Sequence, residues 1–168
     1  MDEVGATAGR IITLGTIQVM CGLAISIADA IGLGLHVRPV EILSGVFWGL
    51  YYIVTGSFGM AAGTFLLRNN GTIRKRLKLM AVSFASSIVC SLSAATVLVW
   101  YVLELMDLSQ SRWDWNSSVC QYEVGLLGFE LAFLFLMFIV SVMMSVYGSR
   151  IMSALRANKP KADTITLT

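Results

Sequence analysis

Four long apolar segments, separated by short polar ones, are the main feature of the chain. They cover residues 11–35, 42–67, 79–103 and 124–147. Each is longer than the roughly 20 residues that an α-helix needs to cross the hydrocarbon core of a bilayer. None shows the alternation of a membrane β-strand, and every backbone polar group in lipid needs an internal partner. The pattern therefore predicts four membrane-spanning helices.

The composition supports a membrane protein rather than a soluble domain. Hydrophobic residues make up 57% of the 168 residues and charged residues only 13%, whereas soluble domains have about 25% charged residues. A soluble chain of this size could not bury so much apolar surface. We predict an all-α integral membrane protein, a compact four-transmembrane-helix bundle. Residues 1–150 form its one domain, with a short tail over residues 151–168.

The distribution of lysine and arginine predicts the orientation of the bundle. Ten of the 12 basic residues lie before the first segment, between the second and third, or after the fourth: Arg10, Arg68, Arg74, Lys75, Arg76, Lys78, Arg150, Arg156, Lys159 and Lys161. Only Arg38 and Arg112 lie on the other side. Because cytoplasmic loops carry an excess of basic residues, we predict that both termini are cytoplasmic.

Two glycosylation sequons test this orientation, and they cannot both face the lumen. Asn116-Ser117-Ser118 falls in the predicted outer loop 104–123, whereas Asn70-Gly71-Thr72 falls in the basic inner loop. The basic-residue rule selects Asn116 as the glycosylation site. Asn70-Gly71 is then interpreted as a turn.

The second segment has a smooth face made almost entirely of glycine. The positions are spaced four and three residues apart in turn, which places them on one side of a helix. They are Gly45, Gly49, Tyr52, Gly56, Gly59 and Gly63. Small residues allow close backbone approach, which drives helix association in lipid. Two interpretations remain open: the face packs against the other helices of the same chain, or it forms an oligomer interface.

The other three segments have narrower faces of small or weakly polar residues. Together these faces predict a tight bundle rather than a wide pore. The first has Gly15, Gln18, Gly22, Ser26 and Asp29; the third has Ser83, Ser87, Cys90 and Ala94; the fourth has Gly125, Gly128 and Ala132 near its outer end, and Ser141, Ser145 and Gly148 near its inner end.

Two acidic residues, Asp29 and Glu130, lie inside predicted spans. An intramembrane acid is a functional candidate, and no basic residue lies at the same depth. Both acids also lie within about two turns of the outer membrane surface. One interpretation is a pair of interfacial acids that are hydrated or hydrogen-bonded to a neighbour such as Gln18. The other is a cation or proton site between the first and fourth helices.

The predicted outer loop contains aromatic residues and one cysteine. Trp113, Trp115 and Tyr122 fit an interfacial belt or the anchor of a protein partner. Cys120 has no partner within the loop, so it is either a free thiol or one half of a disulfide between two chains.

Sequence features of catalysis or nucleic-acid binding are missing. The chain has one histidine, His36, in a predicted turn. No metal-ligand spacing, phosphate-binding glycine loop or nucleophile–base pair is present. We therefore predict a protein that is not an enzyme, needs no cofactor and contacts the lipid bilayer.

Two stretches resemble the membrane-spanning four-domains subfamily A, the family of the B-lymphocyte antigen. Residues 13–23 contain Leu14, Gly15, Gln18, Gly22 and Leu23, as in the family's first helix. Residues 47–63 contain Trp48, Gly49, Ile53, Gly56 and Ser57, as in its second. The resemblance extends over about residues 11–150. The family's second outer loop often carries a cysteine pair, whereas this chain has only Cys120 there, and its tails are short. A sarcospan-like branch would fit these differences.

The resemblance implies a plasma-membrane protein that associates with itself and with a larger receptor or channel complex. The expected function is that of an accessory or organising subunit. The alternative is an oligomeric cation channel, or a regulator of calcium entry, that uses Asp29 and Glu130. A sensor of lipids or small hydrophobic ligands is a third hypothesis, for which the sequence shows no dedicated residues.

Overall fold

The computed structural model describes residues 2–34, 42–68, 73–110 and 118–157, and these residues form four helices. The helices are α1 (Asp2–Gly34), α2 (Ile42–Leu67), α3 (Ile73–Gln110) and α4 (Ser118–Ala157). The predicted all-helical class is therefore confirmed. Helices of this kind satisfy their own backbone hydrogen bonds, as the hydrocarbon core of a membrane requires.

All four helices are long and apolar enough to cross a membrane. Their outward faces carry large apolar side chains, such as those of Phe47, Leu92, Trp100 and Phe135. A soluble protein rarely leaves a contiguous surface of this kind open to water. Four candidate membrane-spanning helices define a multi-pass membrane protein, and the apolar outside of its bundle fits contact with lipid.

The helices are longer than the predicted apolar spans. Helix α1 begins at Asp2, and α3 continues to Gln110 into the segment predicted as an outer loop. Helix α4 begins at Ser118 and ends at Ala157, so it continues ten residues past the predicted span 124–147. The helices exceed the predicted spans because hydropathy marks where a helix leaves the lipid, whereas backbone hydrogen bonding continues past that point.

Neighbouring helices run antiparallel, and each packs on the next one along the chain, with α1 also against α4. Gly15 lies opposite Gly56 and Gly22 lies opposite Gly49, so α1 and α2 run in opposite directions. The same relation holds between α1 and α4, where Arg10 meets Tyr147 and Gln18 meets Ser141. Because the four helices alternate in direction, the start of α1 and the end of α4 lie at the same end of the bundle, which we call the terminal end.

Two apolar clusters fill the interior, one in each half of the bundle. The cluster at the terminal end is made of Ala8, Ile11, Leu14, Ala62, Leu66, Met80, Val140, Met144 and Ile151. The cluster in the opposite half is made of Cys21, Ile25, Tyr52, Cys90, Ala94, Leu134 and Met137. The polar groups described below lie between these clusters or at their margins.

Candidate functional site

The closest helix contact in the bundle is between the glycines of α1 and those of α2. A methyl group added to Gly56 would lie 2.7 Å from the carbonyl oxygen of Gly15, and one added to Gly15 would lie 2.8 Å from the carbonyl oxygen of Gly56. Gly22 and Gly49 form the same reciprocal contact at 2.7 and 2.8 Å. Only glycine permits backbones to approach this closely.

Three further positions of the α2 glycine face, Tyr52, Gly59 and Gly63, are also covered within the chain. Gly63 faces Ile12 and the carbonyl oxygen of Ala8, and Gly59 faces the thioether of Met144 on α4. Tyr52 is fully buried in the second apolar cluster, and its ring stacks on Trp48 at a centroid distance of 6.4 Å. The glycine face therefore holds the bundle together rather than facing lipid.

A polar cluster contributed by all four helices lies near the middle of the bundle. The Gln18 amide nitrogen donates to Cys90 Sγ at 3.1 Å and to Ser141 Oγ at 3.2 Å. Ser141 Oγ also donates to Cys90 Sγ at 3.2 Å. Thr55 Oγ1 donates to the carbonyl oxygen of Tyr52 at 3.0 Å and lies 3.9 Å from Cys90 Sγ. We call Gln18, Thr55, Cys90 and Ser141 the central polar cluster.

The central polar cluster is dry and nearly satisfied, as its depth demands. Gln18 and Ser141 are completely buried, and so is Cys90. A polar group without a partner is costly in lipid, and the cluster supplies one to each group apart from the Gln18 carbonyl oxygen. The cluster contains no nucleophile–base pair, and its hydrogen bonds can hold the four helices at fixed heights.

The two intramembrane acids form a separate site. Asp29 and Glu130 are only 3% and 5% exposed, and their carboxyl groups lie within hydrogen-bonding distance across α1 and α4. Asp29 Oδ2 has no hydrogen-bond partner among the described residues. A hydrogen bond between two carboxyl groups needs a proton on one of them. The acids thus face each other inside the bundle and not the surrounding water.

The structure does not place Gln18 beside these acids. Eleven residues separate Gln18 from Asp29 along α1, which is about 16 Å at the helical rise. Gln18 bonds instead to Cys90 and Ser141. The predicted grouping of Gln18 with Asp29 and Glu130 was therefore wrong, because helix periodicity places residues on a common side without telling how far apart their partners lie.

A face of small residues at the start of α4 has no neighbour among the described residues. A methyl group added to Gly125 or Gly128 would meet nothing within 4 Å. Ala132, one turn further along the helix, is exposed, and the nearby Tyr122 is 68% exposed. This face, made of Tyr122, Gly125, Gly128 and Ala132, is called the open α4 face below. It lies at the end of the bundle opposite the terminal end.

Several predicted site residues lie outside the described residues. They are His36, Asn70, Trp113, Trp115 and Asn116. Cys120 belongs to the first turn of α4 and Gly45 to the first turn of α2, but their surroundings are not among the described contacts. The predicted aromatic anchor, glycosylation site and disulfide of the outer loop stay predictions.

No group of three or more histidine, cysteine or acidic residues able to hold a metal ion occurs among the described residues. Comparison of the chain with protein-family models, with curated proteins and with solved structures found no match. The fold therefore defines the class, a multi-pass protein with four candidate membrane-spanning helices. Its particular role has to be argued from the sites.

Two contacts could not be anticipated from the sequence. Gln18, Cys90 and Ser141 each belong to a predicted small face, yet nothing in the chain indicates that they meet at one height. Arg10 was interpreted only as a topology signal, whereas its guanidinium lies over the ring of Tyr147 at 5.7 Å. An interhelical partner 137 positions away has no local sequence signal.

Proposed function

We propose that this protein is an accessory or organising subunit, which associates with itself and with a larger receptor or channel complex in the membrane. The observation that carries this proposal is the open α4 face. Six glycines in the spans of α1 and α2 are covered by a neighbouring helix at contact distance, namely Gly15, Gly22, Gly49, Gly56, Gly59 and Gly63, whereas a methyl group added to Gly125 or Gly128 would meet nothing within 4 Å among the described residues.

The physical argument rests on how helices associate in lipid. The hydrophobic effect gives little drive there, so association depends on close packing at small residues. Glycine also lowers intrinsic helix stability by about 1 kcal/mol relative to alanine. Two glycines at lipid-facing positions of one helix have no structural benefit within this chain. A helix from another chain, packed on the open α4 face, would supply that benefit.

Further features agree with a docking role at this end of the bundle. Exposed Tyr122 belongs to the open α4 face, and Trp113 and Trp115 precede it in the sequence. Aromatic residues of this kind are enriched at the centre of protein interfaces. Cytoplasmic termini, a plasma-membrane location and membership of the membrane-spanning four-domains subfamily A are parts of the same proposal. They are supported by the basic-residue distribution and by the motifs in α1 and α2.

The test compares leucine substitutions at matched exposed positions. Gly125→Leu and Gly128→Leu fill the open α4 face, and Ala85→Leu makes a similar change on the exposed side of α3. We expect the first two variants to lose partners that co-purify from native membrane in mild detergent, and to lose self-association. The control should keep both. Loss of partners in all three variants, or in none, would argue against docking through α4.

A second candidate function is favoured by the pairing of Asp29 with Glu130. Two buried carboxyl groups that face each other can bind a proton or a small cation, so a cation-conducting oligomer remains a distinct hypothesis. Reconstitution into liposomes decides between the two functions. Flux that falls in Asp29→Asn and Glu130→Gln would support conduction, whereas absent or unchanged flux would eliminate it.

A further inference from the structure

A groove between α1 and α4 opens at the terminal end of the bundle. Its volume is about 510 Å³, and it is lined by Ala6, Gly9, Arg10, Thr13, Leu14, Met143 and Tyr147. The lining is mainly apolar, and only Arg10 carries a charge. Volumes of this size are typical of sites that hold part of a small organic molecule.

Glycine keeps the groove open. Gly9 lines the groove, and a methyl group added to it would meet nothing within 4 Å, so α1 and α4 leave space at this position. From Ala6 to Leu14 the groove extends eight residues along α1, or about 12 Å. The exposed sides of Thr13 and Met143 place its open side toward lipid.

Arg10 is held at the mouth of the groove with hydrogen-bonding capacity to spare. Its Nη1 atom donates to the Tyr147 hydroxyl at 3.5 Å, and its guanidinium lies 5.7 Å from the centre of that ring. Within the described part of the chain it forms no ion pair with a carboxylate. A guanidinium has five N–H donors, so most of them can still bind an anion.

A second cation lies on the same side of α4. Met143, Tyr147 and Arg150 are spaced four and three residues apart, which places Arg150 beyond Tyr147 on the groove side, and Arg150 is exposed. The groove thus combines an apolar channel at membrane depth with two arginines where it opens at the terminal end of the bundle. Phospholipids with a net negative headgroup have the complementary arrangement of charge and acyl chain.

We propose that the groove between α1 and α4 is a binding site for one anionic phospholipid. Arg10 and Arg150 bind the headgroup, and an acyl chain lies along Gly9, Thr13 and Met143. Tyr147 is a positioning residue, because its ring and hydroxyl hold the guanidinium of Arg10 at the mouth. Binding here is independent of the open α4 face, which lies at the opposite end of the bundle.

Native mass spectrometry of the delipidated full chain tests this site. The protein is offered equal amounts of phosphatidylserine and phosphatidylcholine with the same acyl chains. We expect one phosphatidylserine to be retained preferentially. Arg10→Gln should weaken its retention about tenfold, since a hydrogen bond to a charged group contributes about 1.5–3 kcal/mol. Arg156→Gln, an exposed arginine at the same end and more than two turns past Tyr147, should leave retention unchanged.

A second variant removes space rather than charge. Gly9→Leu fills the groove without disturbing a packed contact, so the protein should fold and lose the lipid. Equal effects of Arg10→Gln and Arg156→Gln would overturn the proposal, because they would mean general attraction to a basic surface. Displacement of the lipid by inorganic phosphate would overturn it too. Retention of the lipid by the Gly9→Leu variant together with a changed oligomeric state would also overturn the proposal, because it would assign the groove to a second copy of this chain.

Discussion

Alanine substitutions at Gly56 and Gly128 should have opposite effects on stability, although both add one methyl group to a membrane-spanning helix. At Gly56 the new methyl carbon would lie 2.7 Å from the carbonyl oxygen of Gly15, 2.9 Å from a methyl group of Val19 and 3.0 Å from its backbone nitrogen. At Gly128 it would meet nothing within 4 Å. The comparison isolates packing from helix propensity, since the gain in propensity is the same at both positions.

The size of the effect follows from the displacement that the methyl group requires. Ordinary contact begins at 3.4 Å, so α1 and α2 must separate by about 0.7 Å at Gly56. The atom in the way belongs to the backbone, so no rotamer change relieves the clash. Overpacking of this kind costs about 1–3 kcal/mol, while alanine in place of glycine contributes up to about 1 kcal/mol. We expect Gly56→Ala to be about 1–3 kcal/mol less stable than Gly128→Ala, which should itself be neutral or slightly stabilising relative to the unsubstituted protein.

Unfolding by SDS in mixed micelles, followed by tryptophan fluorescence, measures this difference. Trp48 is a suitable reporter because its ring stacks on buried Tyr52. Gly15→Ala provides a second measurement of the same contact, and its combination with Gly56→Ala should be non-additive, since both add bulk at one point. Equal stability of Gly56→Ala and Gly128→Ala, or greater stability of Gly56→Ala, would refute the close α1–α2 contact.

Three other outcomes follow from the same structure. Gln18→Leu should lower the free energy of unfolding by about 0.6 kcal/mol and by no more than about 1.7 kcal/mol, which is the range measured for hydrogen bonds between membrane helices. A loss above about 3 kcal/mol in the same SDS assay would mean that the central polar cluster does more than join the helices. In a Cys120→Ser background, buried Cys21 and Cys90 should react with a membrane-permeant maleimide only after unfolding, and rapid labelling of the folded protein would contradict their burial. Tags fused to the two termini should become accessible to protease only after the plasma membrane is permeabilised, and opposite accessibility of the two tags would contradict the paired ends of the bundle.

The number and class of the helices could be predicted from the sequence because a bilayer imposes a length and a composition on each crossing. The predicted span 42–67 coincides with α2, which begins at Ile42 and ends at Leu67. Helix ends beyond the lipid were missed, since the segment after Leu103 is polar and hydropathy gives no signal there. The residues after Leu103 stay helical to Gln110, because a helix can continue into water beyond the edge of the lipid.

The contacts that make up each site were predictable only in part. The glycine spacing on α2 predicted a face for close packing, but the chain alone left open whether α1 or a second protein would cover it. The relative heights of the helices were the missing information. Asp29 and Glu130 are both near one end of their spans, which made a pairing conceivable, whereas Gln18 could be placed with its partners Cys90 and Ser141 only from the assembled bundle.

The glycine contacts between α1 and α2 repeat at a spacing of seven residues, so close packing alone does not select one register of the two helices. Gly15 and Gly22 are seven residues apart, as are Gly49 and Gly56. Sliding α2 by seven residues, about 10.5 Å, would therefore again place glycine opposite glycine: Gly22 opposite Gly56 in one direction, or Gly15 opposite Gly49 in the other. Such an interface holds the helices close but distinguishes poorly between two sliding positions. The central polar cluster supplies the distinction, because Gln18 of α1 donates to Cys90 Sγ and Thr55 of α2 lies 3.9 Å from the same sulfur, which relates the two helices at one height only. A few hydrogen bonds of modest strength would then decide which of two tightly packed bundles the chain adopts during membrane insertion.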